Sequence, residues 1–89
     1  MILHGKMYLY IDGYNIINAW DELKKLSKLN LELARERLIE ICSEYQAYSG
    51  TYVIIVFDAH LQRGHKEMVE EKLGVKVVFT KERQTADQY

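Results

Sequence analysis

Three short apolar runs, each followed at or near its end by an aspartate, constrain this chain more than anything else in it. They are Tyr8-Leu9-Tyr10-Ile11 before Asp12, Val53-Ile54-Ile55-Val56-Phe57 before Asp58, and Val77-Val78-Phe79, followed after a polar stretch by Thr85-Ala86-Asp87. Runs of this kind read as strands buried on both faces, as in a parallel sheet. In an open α/β sheet, sites form beyond the carboxyl ends of the strands. Three carboxylates would therefore meet at one edge of one sheet. Gathered carboxylates repel one another unless a hard divalent cation sits among them. The pattern predicts a Mg2+ or Mn2+ site and chemistry on phosphate esters.

The segments between the runs carry helical signals. Residues 12–15 form a sharp turn, and Ile16 to Trp20 begins a helix. Asp21 to Leu29 is polar and lysine-rich, with Leu23, Leu26 and Leu29 spaced three apart, and reads as a short helical turn or an ordered loop. A stronger helix follows, with Asn30 as N-cap, Glu32 suited to the dipole of its first turn and Gly50 as the residue that ends it. Its buried stripe is Leu31, Ala34, Leu38, Ile41, Cys42, Tyr45 and Tyr48, and Arg35, Glu36, Arg37, Glu40 and Glu44 occupy the solvated face. The second strand covers Thr51 to Phe57. Gln62 to His65 is a loop, Lys66 to Leu73 a short amphipathic helix closed by Gly74, Val75 to Phe79 the third strand, and Thr85 the cap of a further helix. Strands alternating with helices predict a parallel α/β sheet with right-handed crossovers. Three strands leave two open edges, which invite pairing with other chains. Because the helix at Thr85 has only four residues after its cap, the chain is expected to be the front part of a longer domain. The alternative is a sheet completed by a second copy.

Composition narrows the function classes. The 89 residues suit one domain, with 48% apolar and 28% charged residues, an ordinary globular balance. A net charge of −1 gives no overall basic field, so any nucleic-acid contact has to be a local patch. The single cysteine, Cys42, precludes an internal disulfide and reads as a buried thiol in a reducing compartment. No signal peptide is visible and no apolar run nears the ~20 residues of a membrane span, so a cytoplasmic protein is the default. Neither a dinucleotide-binding glycine fingerprint nor a phosphate-binding P-loop is present, and no serine or cysteine sits in a nucleophile elbow.

Each candidate site residue has a plainer reading beside the functional one. Asp12, Gly13 and Asn15 form the sharpest local motif: an aspartate ending a strand, a glycine that permits a tight turn, and an asparagine three residues after the aspartate. They suit a metal ligand and a group that positions water, or an Asx turn capping the next helix. Asp58 is a ligand or a strand-end cap, and Asp87 a ligand or a carboxylate stabilised at a helix N-terminus, two roles that are compatible. His60 and His65 lack a third nitrogen or thiolate ligand nearby in sequence, which argues against zinc. Arg63, Lys81 and Arg83 are placed to hold a phosphate backbone. Tyr14 and Trp20 either stack on bases or pack in the core, and Tyr8, Tyr10, Tyr45, Tyr48 and Tyr52 are assigned to core or boundary positions.

At this point the residues resemble a known family. The stretch Tyr10-Ile11-Asp12-Gly13-Tyr14-Asn15-Ile16-Ile17-Asn18-Ala19-Trp20 resembles the opening signature of YacP-like NYN-domain proteins, within the PIN-like superfamily of metal-dependent ribonucleases. Val56-Phe57-Asp58-Ala59-His60 is similar to the family's second block. Residues 77–82 with Thr85-Ala86-Asp87 resemble its third, and residues 34–39 and 45–48 resemble its first long helix. The similarity runs from Met7 onward, with the blocks in the family's order.

The resemblance implies a three-layer Rossmann-like (PIN-like) sandwich, one NYN/PIN-like domain over residues 1–89, stopping after its third strand. It implies endonucleolytic RNA cleavage, and the family includes a bacterial ribosome-associated endoribonuclease. Asp12 and Asp87 match acidic metal-site positions, Asn15 the asparagine of the name-giving motif, and Asp58 the aspartate after the second strand. Gln84 departs from an acidic position of many relatives, and the family domain continues past Asp87. The expected function is thus a Mg2+- or Mn2+-dependent endoribonuclease with Asp12, Asp58 and Asp87 on the metal and Asn15 orienting water or phosphate. The alternative is a catalytically incomplete RNA- or ribosome-binding or oligomerising fragment. An aspartate-nucleophile phosphatase would want a second aspartate two residues after the first, and neither Asp12 nor Asp58 has one.

Overall fold

The computed structural model describes residues 7–58 and 68–80. Four strands and three helices follow in the order β1 (Tyr8–Asp12), α1 (Gly13–Ala19), α2 (Asp21–Leu29), α3 (Leu31–Ser49), β2 (Tyr52–Phe57), β3 (Met68–Lys72) and β4 (Val75–Phe79). They form one mixed sheet in the order β1-β2-β4-β3. The three runs that suggested strands are β1, β2 and β4, and they are mutually parallel. Tyr8 faces Tyr52 and Asp12 faces Val56 across β1 and β2, and Ile54 faces Lys76 and Phe57 faces Phe79 across β2 and β4.

The helix expected over Lys66 to Leu73 is instead strand β3 for its described part. Met68–Lys72 pairs antiparallel to β4, with Lys72 opposite Val75. The two-residue connection Leu73–Gly74 has left-handed backbone at both positions, φ 54° and 82°, as a primed hairpin turn requires. Gly74 therefore turns a hairpin and does not close a helix. The helical spacing of Met68, Val69 and Leu73 misled because all three are exposed, at 42%, 48% and 63%, so no buried stripe exists there.

Register assigns the faces. Val53, Ile55 and Phe57 of β2 and Val75 and Val77 of β4 form one core with Tyr14, Ile17, Leu23, Ala34, Leu38, Ile39 and Cys42 from the three helices. Ile54, Val56 and Val78 form a second buried cluster, on the opposite face by strand alternation. Among the described residues all three helices contribute to the first cluster, and the helix expected after Thr85 lies outside them.

Helix α3 is bounded as its sequence suggests. Asn30 Oδ1 accepts from the Glu32 N–H at 2.8 Å, and Gly50 ends the helix in left-handed conformation at φ 75°. Its buried stripe differs at the far end: Ile39 is buried, whereas Tyr45 and Tyr48 are 46% and 92% exposed. The cause is the length of α2. Nine residues against nineteen leave α2 alongside only the first half of α3, where Arg37 reaches Glu22 at 3.0 Å. The tyrosines lie past that cover. Tyr8, Tyr10 and Tyr52 are likewise exposed, at 58%, 64% and 42%, because β1 is an edge strand and both its tyrosines fall on the face away from the helices.

One amide ties the lower end of the assembly together. Gln46 of α3 accepts from the Val53 N–H through Oε1 at 2.8 Å and donates through Nε2 to the Gly74 carbonyl at 2.7 Å. Ser43 Oγ donates to the neighbouring Leu73 carbonyl at 2.7 Å. The last turns of α3 are thereby fastened to the start of β2 and to the hairpin tip.

Candidate active site at the carboxyl ends of the strands

Asp12 ends β1 and caps α1. Its Oδ1 accepts from the Asn15 N–H at 3.4 Å and its Oδ2 from Asn15 Nδ2 at 2.8 Å. Both carboxylate oxygens are thus oriented by one residue one helical turn away, the capping arrangement that the spacing of Asp12 and Asn15 allowed. The carboxylate stays exposed, open to a ligand.

Gly13 serves a purpose other than the one its turn position suggested. Its backbone needs no left-handed angle. A Cβ there would lie 2.6 Å from Cδ1 of Phe57, closer still to Cε1, and 3.0 Å from Cγ2 of Ile55. The missing side chain lets α1 lie directly on β2. Tyr14 is then a core residue, 6% exposed, with its ring centroid 5.0 Å from that of Phe57. Trp20, at 45% exposure, joins α1 to α2 in extended conformation, φ −99° and ψ 124°.

Asp58 directly follows β2 and lies two positions beyond Val56, the partner of Asp12. Adjacent strands are about 4.8 Å apart, so the ends of β1 and β2 bring Asp12 and Asp58 to the same edge. Thr80, fully buried, closes this edge on the other side, its N–H donating to the Phe57 carbonyl at 3.1 Å. Nothing in the sequence marked Thr80 as a buried polar residue.

Arg35 is a further residue whose place differs from its sequence expectation. Periodicity put it on the solvated face of α3. It is half-buried, donates through Nη1 to the Tyr14 hydroxyl at 3.2 Å and lies 5.9 Å from the centre of the Phe79 ring. Glu36 and Glu40, by contrast, are exposed as their spacing indicated.

Asp87, Arg63, Lys81 and Arg83, together with His60 and His65, lie outside the described residues. Among the described residues no group of three or more histidine, cysteine, aspartate or glutamate side chains is poised to hold a metal. Asp12 and Asp58 are nevertheless hard oxygen donors of the kind Mg2+ and Mn2+ take. Cys42 is buried and free, and desolvation pushes its thiol up to about 11, as befits a structural residue and not a nucleophile. No helix among the described residues is long and apolar enough to cross a membrane.

Comparison with known proteins agrees with this fold. The YacP-like NYN domain matches residues 9–89. The uncharacterized protein YacP of Bacillus subtilis (strain 168) is 50% identical over 80 residues, spanning 90% of this chain and 46% of that protein. A crystal structure of Rae1 (YacP) from Bacillus subtilis superposes with a TM-score of 0.73 at 42% identity, covering 94% of this chain and 47% of that one. A point variant of the same protein gives a TM-score of 0.70 at 47% identity over 91% and 44% of the two chains. The chain spans about half the length of the relatives it matches. By the extent of the family match and the identity to YacP, it belongs to the YacP-like NYN domain family.

Proposed function

We propose that this chain carries the front of the active site of a divalent-metal-dependent endoribonuclease acting in the cytoplasm on single-stranded or ribosome-associated RNA. The observation that carries the reading is the carboxyl edge of β1 and β2. There Asp12 is held by Asn15 through both oxygens, and Asp58 follows the neighbouring strand. Family membership supports it. Asp12, Asp58 and Asp87 would hold Mg2+ or Mn2+, which when bound supplies Lewis acidity and lowers the pKa of water. Asn15 holds the Asp12 carboxylate through both of its oxygens, which limits the orientational freedom lost on binding. Arg63, Lys81 and Arg83 would contact the RNA backbone.

The test is cleavage of a labelled single-stranded RNA with Mg2+ or Mn2+, against EDTA and against Asp12→Asn. Asparagine caps a helix as well as aspartate does, so Asp12→Asn removes the charge and keeps the cap. Loss of cleavage in both controls, with circular dichroism unchanged, is the expected result. Metal-dependent cleavage that persists in Asp12→Asn would remove Asp12 from the site and with it this reading.

A further inference from the structure

We infer that Arg35 is a phosphate-binding residue of the carboxyl-edge site, taking an anionic oxygen of an RNA backbone. The inference rests on the nuclease reading for the identity of the ligand, but its geometry is independent of Asp12 and of any metal. Helix α3 runs antiparallel to β2, to which Gly50 and Thr51 join it. A rise of about 1.5 Å per residue separates Arg35 from Ser49 by about 21 Å, close to the length of β2 at about 3.3 Å per residue. Arg35 is therefore level with the strand ends, and its 5.9 Å approach to Phe79, the last residue of β4, places it there directly. Phe79 stacks on Phe57 at 5.4 Å and Phe57 meets Tyr14 at 5.0 Å. The guanidinium thus rests on an aromatic wall in which Phe57 directly precedes Asp58 and Tyr14 follows Asp12 by two residues.

Its electrostatic situation differs from that of Arg37, two residues on. Arg37 is neutralised by Glu22 at 3.0 Å and Glu40 at 3.1 Å. Among the described residues Arg35 has no carboxylate partner; its one polar contact is the neutral Tyr14 hydroxyl. A guanidinium has five N–H donors in a fixed fork suited to phosphate. One is used here, and the hydroxyl and ring fix the fork without neutralising it. A half-buried cation so held, with no carboxylate partner among the described residues, suits an anionic ligand, and at the rim of this site that ligand is a phosphodiester.

The experiment measures binding of a short single-stranded RNA to the full-length protein in EDTA, so that no cleavage occurs, across a range of salt concentrations. Each phosphate contact to a single strand contributes about 0.7 to the slope of log K against log salt. Arg35→Gln is expected to lower that slope by about 0.7 and affinity at low salt by roughly tenfold. Arg35→Lys, which keeps the charge, is expected to keep the slope, and Arg37→Gln is expected to match the wild type. Tyr14→Phe removes only the hydroxyl and also keeps the slope if Arg35 itself bears the contact. A folded Arg35→Gln protein with the wild-type slope, or with weaker binding and an unchanged slope, overturns the inference. Loss of slope in Arg35→Gln beside a wild-type protein that binds but never cleaves would uphold the phosphate contact and sink the nuclease reading. Cleavage that needs Asp12 but proceeds with no slope change in Arg35→Gln would do the reverse.

Discussion

Replacing Gly13 with alanine tests the contact that seats α1, and with it Asp12 and Asn15, on the sheet. The added methyl would lie 2.6 Å from Cδ1 of Phe57 and 3.0 Å from Cγ2 of Ile55, where an ordinary carbon–carbon contact is about 3.5–4.0 Å. Phe57 has no room to yield: it is 1% exposed and sits between the rings of Tyr14 and Phe79. The helix must therefore withdraw by about 1 Å. Overpacking of a closed core costs about 1–3 kcal/mol. The gain in helix propensity from glycine to alanine, at most about 1 kcal/mol in a helix interior, is smaller at the first position of α1. The net loss is about 0.5–2.5 kcal/mol, a fall in Tm of about 2–20 °C for a domain of this size. Urea and thermal unfolding followed by far-UV circular dichroism measure it. Phe57→Leu should relieve the clash, so the double variant is expected to lose about 1 kcal/mol less than the two single losses combined. A Gly13→Ala protein as stable as the wild type, or additive losses in the double variant, would refute the close-approach argument.

Three further outcomes are expected. Leu73 occupies left-handed backbone at φ 54° with a 63% exposed side chain, so Leu73→Gly should raise the urea midpoint by about 0.5–1 kcal/mol equivalent; an unchanged or lowered midpoint would contradict the strain. Gln46→Glu keeps the acceptor for Val53 but sets a carboxylate against the Gly74 carbonyl, and a loss of about 1–3 kcal/mol is expected in urea unfolding at neutral pH; no loss would mean that the clamp contributes little. Burial raises the Cys42 thiol from 9.0 to about 11, so above about pH 9 the unfolded chain ionises first. The stability Cys42 contributes is whole below pH 9 and lost as pH rises toward 11, and the difference in unfolding free energy between wild type and Cys42→Val should change over that window alone.

The parallel strands and α3 were legible because their signals are redundant. Val53 to Phe57 is apolar at every position and is buried at every position. Asn30 and Gly50 bracket α3 by side-chain and backbone chemistry that few other residues supply. Where a signal stood alone, it failed. Three apolar residues at helical spacing suggested a helix over Lys66 to Leu73, yet the five residues Met68–Lys72 make a strand, and Leu73-Gly74 lacks the Asn-Gly signature that would have marked the hairpin. Tyr8, Tyr10, Tyr45, Tyr48 and Tyr52 were expected at core or boundary positions, but their burial depends on which strand lies at the edge and how far α2 extends, and neither is a local property. In the site, Asp12 and Asn15 could be read because their contact spans three residues. The contact of Arg35 with Tyr14 spans twenty-one, and no periodicity within α3 distinguishes Arg35 from the ion-paired Arg37.

The Gln46 clamp gives the protein a built-in reporter of its own breathing. The Tyr52 N–H bonds to the Met7 carbonyl at 2.9 Å, so its deuterium exchange reads the detachment of β1. The next amide, Val53, points to the other side of β2, where pairing with β4 starts only at Ile54 opposite Lys76, and its acceptor is the Gln46 side chain. That proton is released when the last turns of α3 and the hairpin tip lift away, whether or not the strands separate. Two adjacent amide protons therefore time two different local openings, and the ratio of their exchange rates measures which side of β2 lets go first.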